Sequence, residues 1–388
     1  MMKVLVTDCF TRKSLSAVRS LGKKGLTVHA ASHTRIAPGL YSKYVSKYFI
    51  IPHPKKNPSA YLANIIHILK EGNYHCLLPF EEASIEIFLA NRNSIEALTQ
   101  LPIPDKAAYE LASNKWQTLQ LAQQLGIPIP TSFLPLTTEA LDETLNLLSF
   151  PIIIKPVHSS GSRGLYTIRN KENLDIYYNK VVKKYGFPLL QECIPPSGEG
   201  CGVGILASQG EVLVSFSYKR LREFPVSGGP STLRESTHDE QLKDYASRLI
   251  KALKWTGVAM IEFKRDPDTH IPKLMEINPR FWGSLALAQA AGINFPYLLF
   301  ALSQGEKISQ ITYESGILCR WLLPGDLAHF IANKDRFSLK PSFFHFFDKN
   351  LFYDDFDKKD IKGNIAVIFC SIAMIFSREV WKIGLFRK

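Results

Sequence analysis

A doubly wound α/β domain followed by an α+β domain built from antiparallel hairpins is the fold class this 388-residue sequence predicts. Three observations predict it. Through the first hundred residues, short apolar runs alternate with helical patterns, as in a parallel sheet. Beyond residue 150 the pattern changes to short strands punctuated by turn residues, as in antiparallel hairpins. The composition, 46% hydrophobic and 21% charged, is that of a folded chain of two or three domains. It excludes disorder, a collagen-like fibre and a small disulfide-stapled scaffold.

In chain order, strands are expected at 3–7, 27–31, 48–51 and 76–79, with helices at 14–24, 61–70 and 81–97. No Gly-x-Gly-x-x-Gly follows the first strand, so no dinucleotide site is expected there. A helix over 107–125 is stopped by Gly126, Pro128 and Pro130. Strands then follow at 151–156, 165–168, 188–192, 202–207, 211–219, 257–264 and 273–278, with helices at 171–185 and 239–253. The boundary near 102–105 gives an N-terminal domain 1–104, a second domain 105–310 and a C-terminal extension 311–388. The extension is rich in aromatic residues (Phe343, Phe344, Phe346, Phe347) and ends in the apolar run 365–376. That run of twelve residues falls short of the ~20 a membrane span needs, which predicts a buried helix. The basic ending 378–388 keeps weak peripheral membrane contact as the minor reading.

Lys plus Arg is 47 against 35 Asp plus Glu, a net charge of +12 that favours anionic partners. No RNP, KH or helix-turn-helix signature accompanies the charge, which argues against nucleic acid. The six cysteines form no Cys-x-x-Cys pair and the N-terminus has no apolar export signal. Both point to reduced thiols in the cytoplasm. Oligomeric state is not readable.

The strongest chemical signal lies at 258–280. If the hairpin turn centres on residue 269, Glu262 faces Glu276, and Asn278 and Arg280 follow Glu276 along one strand face. Two facing carboxylates repel unless a cation lies between them. The Glu262, Glu276, Asn278 set offers hard oxygens suited to magnesium, with manganese admissible. A second signal is the apolar strand that delivers Lys155 just before the loop Ser160-Gly161-Ser162-Arg163-Gly164, whose backbone N–H groups could turn toward an anion. It is not a Walker A loop. A third is Glu192-Cys193-Ile194-Pro-Pro, either a plain connector or a segment presenting backbone to a base, with Glu199 near a sugar. Arg220 and Arg222, two residues apart on one strand, read as a solvated basic face or as a clamp for phosphates and an anionic co-substrate.

In this order the pieces resemble the ATP-grasp superfamily, specifically its carboxylate–amine ligase-like branch. The resemblance covers residues 1 to about 305. It rests on Ser113-Asn114-Lys115, Leu125-Gly-Ile-Pro, Ile-Ile-Lys155-Pro, the Ser/Gly loop, Gln191-Glu192 and Glu276-Ile-Asn278-Pro-Arg280. It implies two subdomains clamping ATP. Lys115 and Lys155 would contact the phosphates, and the loop with Ser160, Gly161, Ser162 and Gly164 would close over them. Glu192, Cys193 and Ile194 would hold adenine, and Glu199 the ribose. Glu262, Glu276 and Asn278 would hold magnesium. Arg280 would steady the transferred phosphoryl or acyl phosphate. Many relatives carry Asp where this chain has Asn114.

The expected activity is an ATP- and magnesium-dependent ligase that activates a small carboxylate as an acyl phosphate and joins it to an amine, with Arg280 and Arg220 as catalytic residues. The alternatives are an ATP-dependent carboxylase and a non-catalytic ATP-binding regulatory module. No Gly-x-Ser-x-Gly elbow or other nucleophile motif points to covalent catalysis.

Overall fold

The computed structural model describes residues 1–159, 161, 163–226 and 228–375. The chain opens with a four-stranded parallel sheet in the order Val45–Ile50, Thr27–Ser32, Lys3–Val6, Cys76–Leu78. The central strand Val4-Leu5-Val6 is fully buried, as expected of a parallel strand covered on both faces. Two of its helices start on side-chain caps. Thr11 accepts from the Ser14 N–H ahead of Arg12–Lys23, and Asn57 accepts from the Ala60 N–H ahead of Pro58–Gly72.

Two helices expected as single pieces are each broken at an asparagine. The 81–97 stretch divides into Glu82–Ala90 and Arg92–Glu96 at Asn91, whose side chain bonds back to the Ile87 carbonyl. The 107–125 stretch divides into Lys106–Ser113 and Lys115–Gln124. Asn114 there is extended and its Oδ1 accepts from the Gln117 N–H, so it starts a new helix rather than continuing the old one. The break sets Lys115 at the first position of the second helix.

The remainder forms two antiparallel-rich sheets. A small one runs Ser132–Phe133, Pro188–Glu192, Ile152–Pro156, Tyr166–Ile168. A large one runs Pro272–Asn278, Gly257–Arg265, Gly200–Ser208, Glu211–Glu223, Ser231–Thr237, Leu318–Arg320, Leu351–Tyr353. Only the last pair is parallel. Glycines in Gly200–Ser208 let bulky side chains lie flat on the sheet. A Cβ on Gly204 would come within 2.2 Å of the fully buried Trp282 ring.

The extension is woven into this framework. Two of its strands complete the large sheet, and its aspartates neutralise arginines, most of them from the rest of the molecule. Asp354 pairs with Arg12 and Arg234, Asp326 with Arg222 and Arg320, and Asp360 with Arg19. The closing helix, Ile361–Ile375, packs on residues 38–40 and 322–326. It is not the buried helix its apolarity suggested. Ala366, Val367, Cys370 and Ser371 face inward, while Ile365, Phe369 and Ile372 are exposed. No described helix is long and apolar enough to cross a membrane. The basic ending 378–388 lies outside the described residues.

Candidate active site

The hairpin register determines the site. Met260 pairs with Asn278, Ile261 with Ile277 and Glu262 with Glu276, the facing arrangement derived from the sequence. A bulge follows immediately, between Glu262 and Phe263, and shifts the pairing toward the turn by one residue.

Each of the facing carboxylates has a cation delivered by a different element. Lys115 Nζ lies 3.1 Å from Glu276 Oε2 and also donates to the Ser159 carbonyl. Arg220 Nη2 lies 2.6 Å from Glu262 Oε1, with Nη1 3.3 Å from Glu223 Oε1. Asn278 Nδ2 donates to Glu276 Oε1 at 3.2 Å. Withdrawal from water holds the Glu262 carboxyl above its ordinary value despite Arg220, and the Glu276 charge adds to the rise. The same withdrawal acts on Glu276, but Lys115 and Lys155 outweigh it and keep that carboxyl below its ordinary value. Among the described residues no three His, Cys, Asp or Glu side chains gather as a metal cage. The donors are instead two carboxylates and one amide, hard oxygen chemistry that fits magnesium, an ion that usually keeps waters and takes further ligands from phosphates.

Lys155, 4% exposed near the end of the interior strand Ile152–Pro156, donates to Gln191 Oε1 at 2.9 Å. Burial brings its pKa down to about 8, with Lys115 adding to the fall and Glu276 and Glu262 opposing it. One neutral acceptor leaves an ammonium with donors to spare. The adjoining loop turns at Gly161 (φ +63°) and Gly164 (φ +75°). A side chain at 164 would be strained, and its Cβ would press to 2.8 Å on Pro156. Ser160 and Ser162, expected in the same loop, lie outside the described residues.

Arg280 does not continue the strand face as expected, because the strand ends at Asn278 and the Arg280 N–H turns back onto the Asn278 carbonyl. Its guanidinium is held instead by the N-terminal domain, with Nε and Nη2 each 3.0 Å from Glu82 Oε1. Next to it Lys13 Nζ lies 2.8 Å from Glu81 Oε1 and donates to the Phe281 carbonyl. The turn carrying both glutamates is held by buried Asp8, which accepts from the Phe80 and Glu81 N–H groups and from Ser84 Oγ.

The shared face expected for Arg220 and Arg222 is corrected. A register shift separates them, and Arg222 is buried against Asp326 (Nε–Oδ1 2.8 Å) and the Pro341 carbonyl. Of the two, only Arg220 reaches the carboxylates. At the end of strand Pro188–Glu192, the Glu192 side chain binds Lys273 and accepts from the Thr131 N–H at 3.0 Å, while Lys264 donates to the Ile194 carbonyl at 3.1 Å. Glu192, Cys193 and Ile194 border a cavity of about 370 Å³. Glu199 stands partly exposed, 3.9 Å from Arg265 Nε.

A second cavity of about 370 Å³ opens between the N-terminal domain and the hairpin. Lys115, Glu276 and Asn278 line it together with Glu82, Glu86 and Tyr109. Sequence reasoning missed these last three. A signal for Glu82 existed, since Phe80-Glu81-Glu82 follows the carboxyl end of a parallel strand, where such sheets place their sites.

A small and a large antiparallel-rich sheet, with facing carboxylates and buried lysines between them, define an α+β class with a charged floor. A family model described as ATP-grasp in the biosynthetic pathway with Ter operon matches residues 189–323. The D-alanine–D-alanine ligase of Fusobacterium nucleatum is 27% identical over 164 residues, which is 40% of this chain and 53% of the relative. The chain thus spans about half the length of this curated relative. The biotin carboxylase domain of Hydrogenobacter thermophilus 2-oxoglutarate carboxylase, solved with MgADP, ADP and bicarbonate, superposes with a TM-score of 0.67 at 17% identity, covering 82% of this chain and 73% of that one. The L-amino acid ligase of Bacillus licheniformis superposes at 0.60 and 18%, covering 78% and 74%. The chain is thus similar to ATP-grasp proteins, over residues 189–323 by the family model and over most of its length by fold.

Proposed function

We propose that the protein is an ATP- and magnesium-dependent ligase that activates a carboxylate as an acyl phosphate and couples it to an amine. The observation that carries the reading is the Glu262/Glu276 pair, each carboxylate matched to its own cation, with Lys155 buried close by. Charge of both signs concentrated at one floor suits the binding of a polyphosphate together with its metal. Glu262, Glu276 and Asn278 would hold magnesium, which when bound supplies charge neutralisation at the β- and γ-phosphates. Lys115 and Lys155 would bind phosphate oxygens, and the loop at 159–164 would cover them and exclude water. The hinge 192–194 would hold adenine, with Glu199 toward the ribose.

The chemistry is positional and electrostatic. A substrate carboxylate oxygen attacks the γ-phosphorus as the bond to the β–γ bridging oxygen breaks, and ADP leaves. Arg280, aimed by Glu82, would steady the phosphoryl oxygens during transfer, and Arg220 would fix Glu262 and meet the incoming anion. The amine then attacks the acyl carbon, the carbon–oxygen bond to phosphate breaks, and inorganic phosphate leaves as the amine gives up a proton. The guanidinium groups of Arg220 and Arg280 would suit an acid that is itself anionic.

The test is product analysis with pooled acids and amines. ADP and phosphate are expected, with hydroxylamine trapping the acyl phosphate as a hydroxamate. AMP and pyrophosphate in equal amounts would overturn the γ-phosphoryl route. Dependence on bicarbonate, with no amine required, would identify a carboxylase running the same first step.

A further inference from the structure

The closing helix Ile361–Ile375 is inside out. A surface helix normally turns its apolar stripe to the core and its polar face to water. Here the inward face carries Gly363, Ala366, Val367, Cys370 and Ser371, mostly small residues packed on the 38–40 and 322–326 segments. The outward face carries Ile361, Ile365, Ile368, Phe369 and Ile372, which are 68, 49, 39, 69 and 46% exposed. Their spacing (i, i+4, i+7, i+8, i+11) makes one continuous stripe along the fifteen residues of the helix. Water is the wrong solvent for that stripe.

The charge around it indicates what covers it. Exposed Lys358, Lys359 and Lys362 cluster at the start of the helix. Residues 358–388 hold seven Lys/Arg against two Asp/Glu, and one of the two, Asp360, is buried on Arg19. In sequence, 376–388 add Trp381, Leu385 and Phe386 to Arg378, Lys382, Arg387 and Lys388. Protein interfaces are depleted in lysine. An apolar stripe bordered by basic residues, with tryptophan, is instead the composition of a helix that lies in the plane of a lipid headgroup layer. No helix among the described residues is long and apolar enough to span, and the contact inferred is a peripheral one. We infer that the stripe Ile361–Ile365–Ile368–Phe369–Ile372 docks this protein onto an anionic membrane surface, the lysines meeting the lipid phosphates and the isoleucines and Phe369 entering the acyl boundary.

The experiment is co-sedimentation of the full chain with vesicles of phosphatidylcholine alone or mixed with phosphatidylserine, at low and high ionic strength. The wild type should sediment with the mixed vesicles and much less with neutral ones, and added salt should weaken the binding. The Ile365→Glu/Phe369→Glu variant changes only outward side chains, so its thermal midpoint should match the wild type while its partitioning falls about tenfold or more. A third protein, Lys358→Gln/Lys359→Gln/Lys362→Gln, should lose the preference for phosphatidylserine. Absence of sedimentation with either vesicle would overturn the inference, as would equal binding of wild type and Ile365→Glu/Phe369→Glu. So would a wild-type dimer in analytical ultracentrifugation that this variant abolishes without vesicle binding, because the stripe would then be a protein interface.

Discussion

Replacing Lys155 by methionine should make the protein more stable and worse at holding ATP. Lys155 is nearly dry, and burial takes its pKa from 10.5 to about 8. That shift corresponds to a folding cost of about 3 kcal/mol at neutral pH, at 1.36 kcal/mol per unit. Methionine removes the cost and keeps the packing volume, but orphans Gln191 Oε1, whose buried amide then loses roughly 1–2 kcal/mol. The net expectation is a gain of about 1–2 kcal/mol in urea unfolding at pH 7. The sign can be checked through pH. Below about 8 the folded and unfolded chains both carry the proton, and the full cost is present. Between about 8 and 10.5 the unfolded state binds more protons than the folded one, so wild-type stability rises with pH and the gap to Lys155→Met closes. Nucleotide affinity, measured by calorimetry with a non-hydrolysable analogue, should drop about ten- to a hundredfold, the worth of a charge-assisted hydrogen bond. A variant that lost stability at pH 7 while binding the analogue unchanged would refute the reasoning. It would make Lys155 a structural counter-ion of Glu276 and Glu262.

Glu276→Gln should keep the fold, because the Glu276–Lys115 pair is partly exposed, and should lose most magnesium-dependent turnover; activity within about twofold of wild type would remove the metal assignment. Asp354→Asn leaves the guanidinium of fully buried Arg234 without its charge partner and weakens the hold on Arg12, so it should cost about 3–5 kcal/mol in urea unfolding at pH 7. Burial works to raise the Asp354 carboxyl, but Arg234 and Arg12 hold it below the ordinary value. Its stabilisation is therefore present above about pH 4 and is lost as pH falls through the folded value, so the two proteins should converge in acid.

The parts of the fold set by local pattern were legible. The parallel order at the start, the helix at 171–185 and the Glu262/Glu276 register follow from periodicity and turn position, which need only neighbouring residues. What failed turned either on a close local contest or on information from elsewhere in the chain. Asn91 and Asn114 break their helices because a local side-chain bond competes with the helical backbone, a near-even contest that a long apolar period hides. Arg222 leaves the site because a register shift redirects it and because Asp326, a hundred residues later, waits for it. Strands as short as Leu318–Arg320 and Leu351–Tyr353 carry too few residues to show a period, and they form because an edge of the large sheet is there to receive them.

The aspartates of the extension also change what the basic charge is for. Part of the positive charge that the sequence suggests for a co-substrate clamp is neutralised inside the protein, Arg222 by Asp326, and Arg234 is matched in the same way by Asp354. Lys115, Lys155, Arg220 and Arg280 remain around the carboxylates, and three of these are oriented by acids from other elements. The neutralised arginines serve as joints. Asp354 ties Arg12 of the N-terminal domain to Arg234 of the large sheet, and Trp321 lies 4.0 Å from the Arg12 guanidinium to exclude water from the tie. Glu82 makes a second tie to Arg280, on the wall of the cavity itself. The N-terminal domain is thus fixed to the sheet by ion pairs at both places, and the distance from Glu82 to the Glu276 floor is set by packing. A substrate lodged there would meet Arg280 already aimed, which is the preorganisation that the proposed phosphoryl transfer would call for.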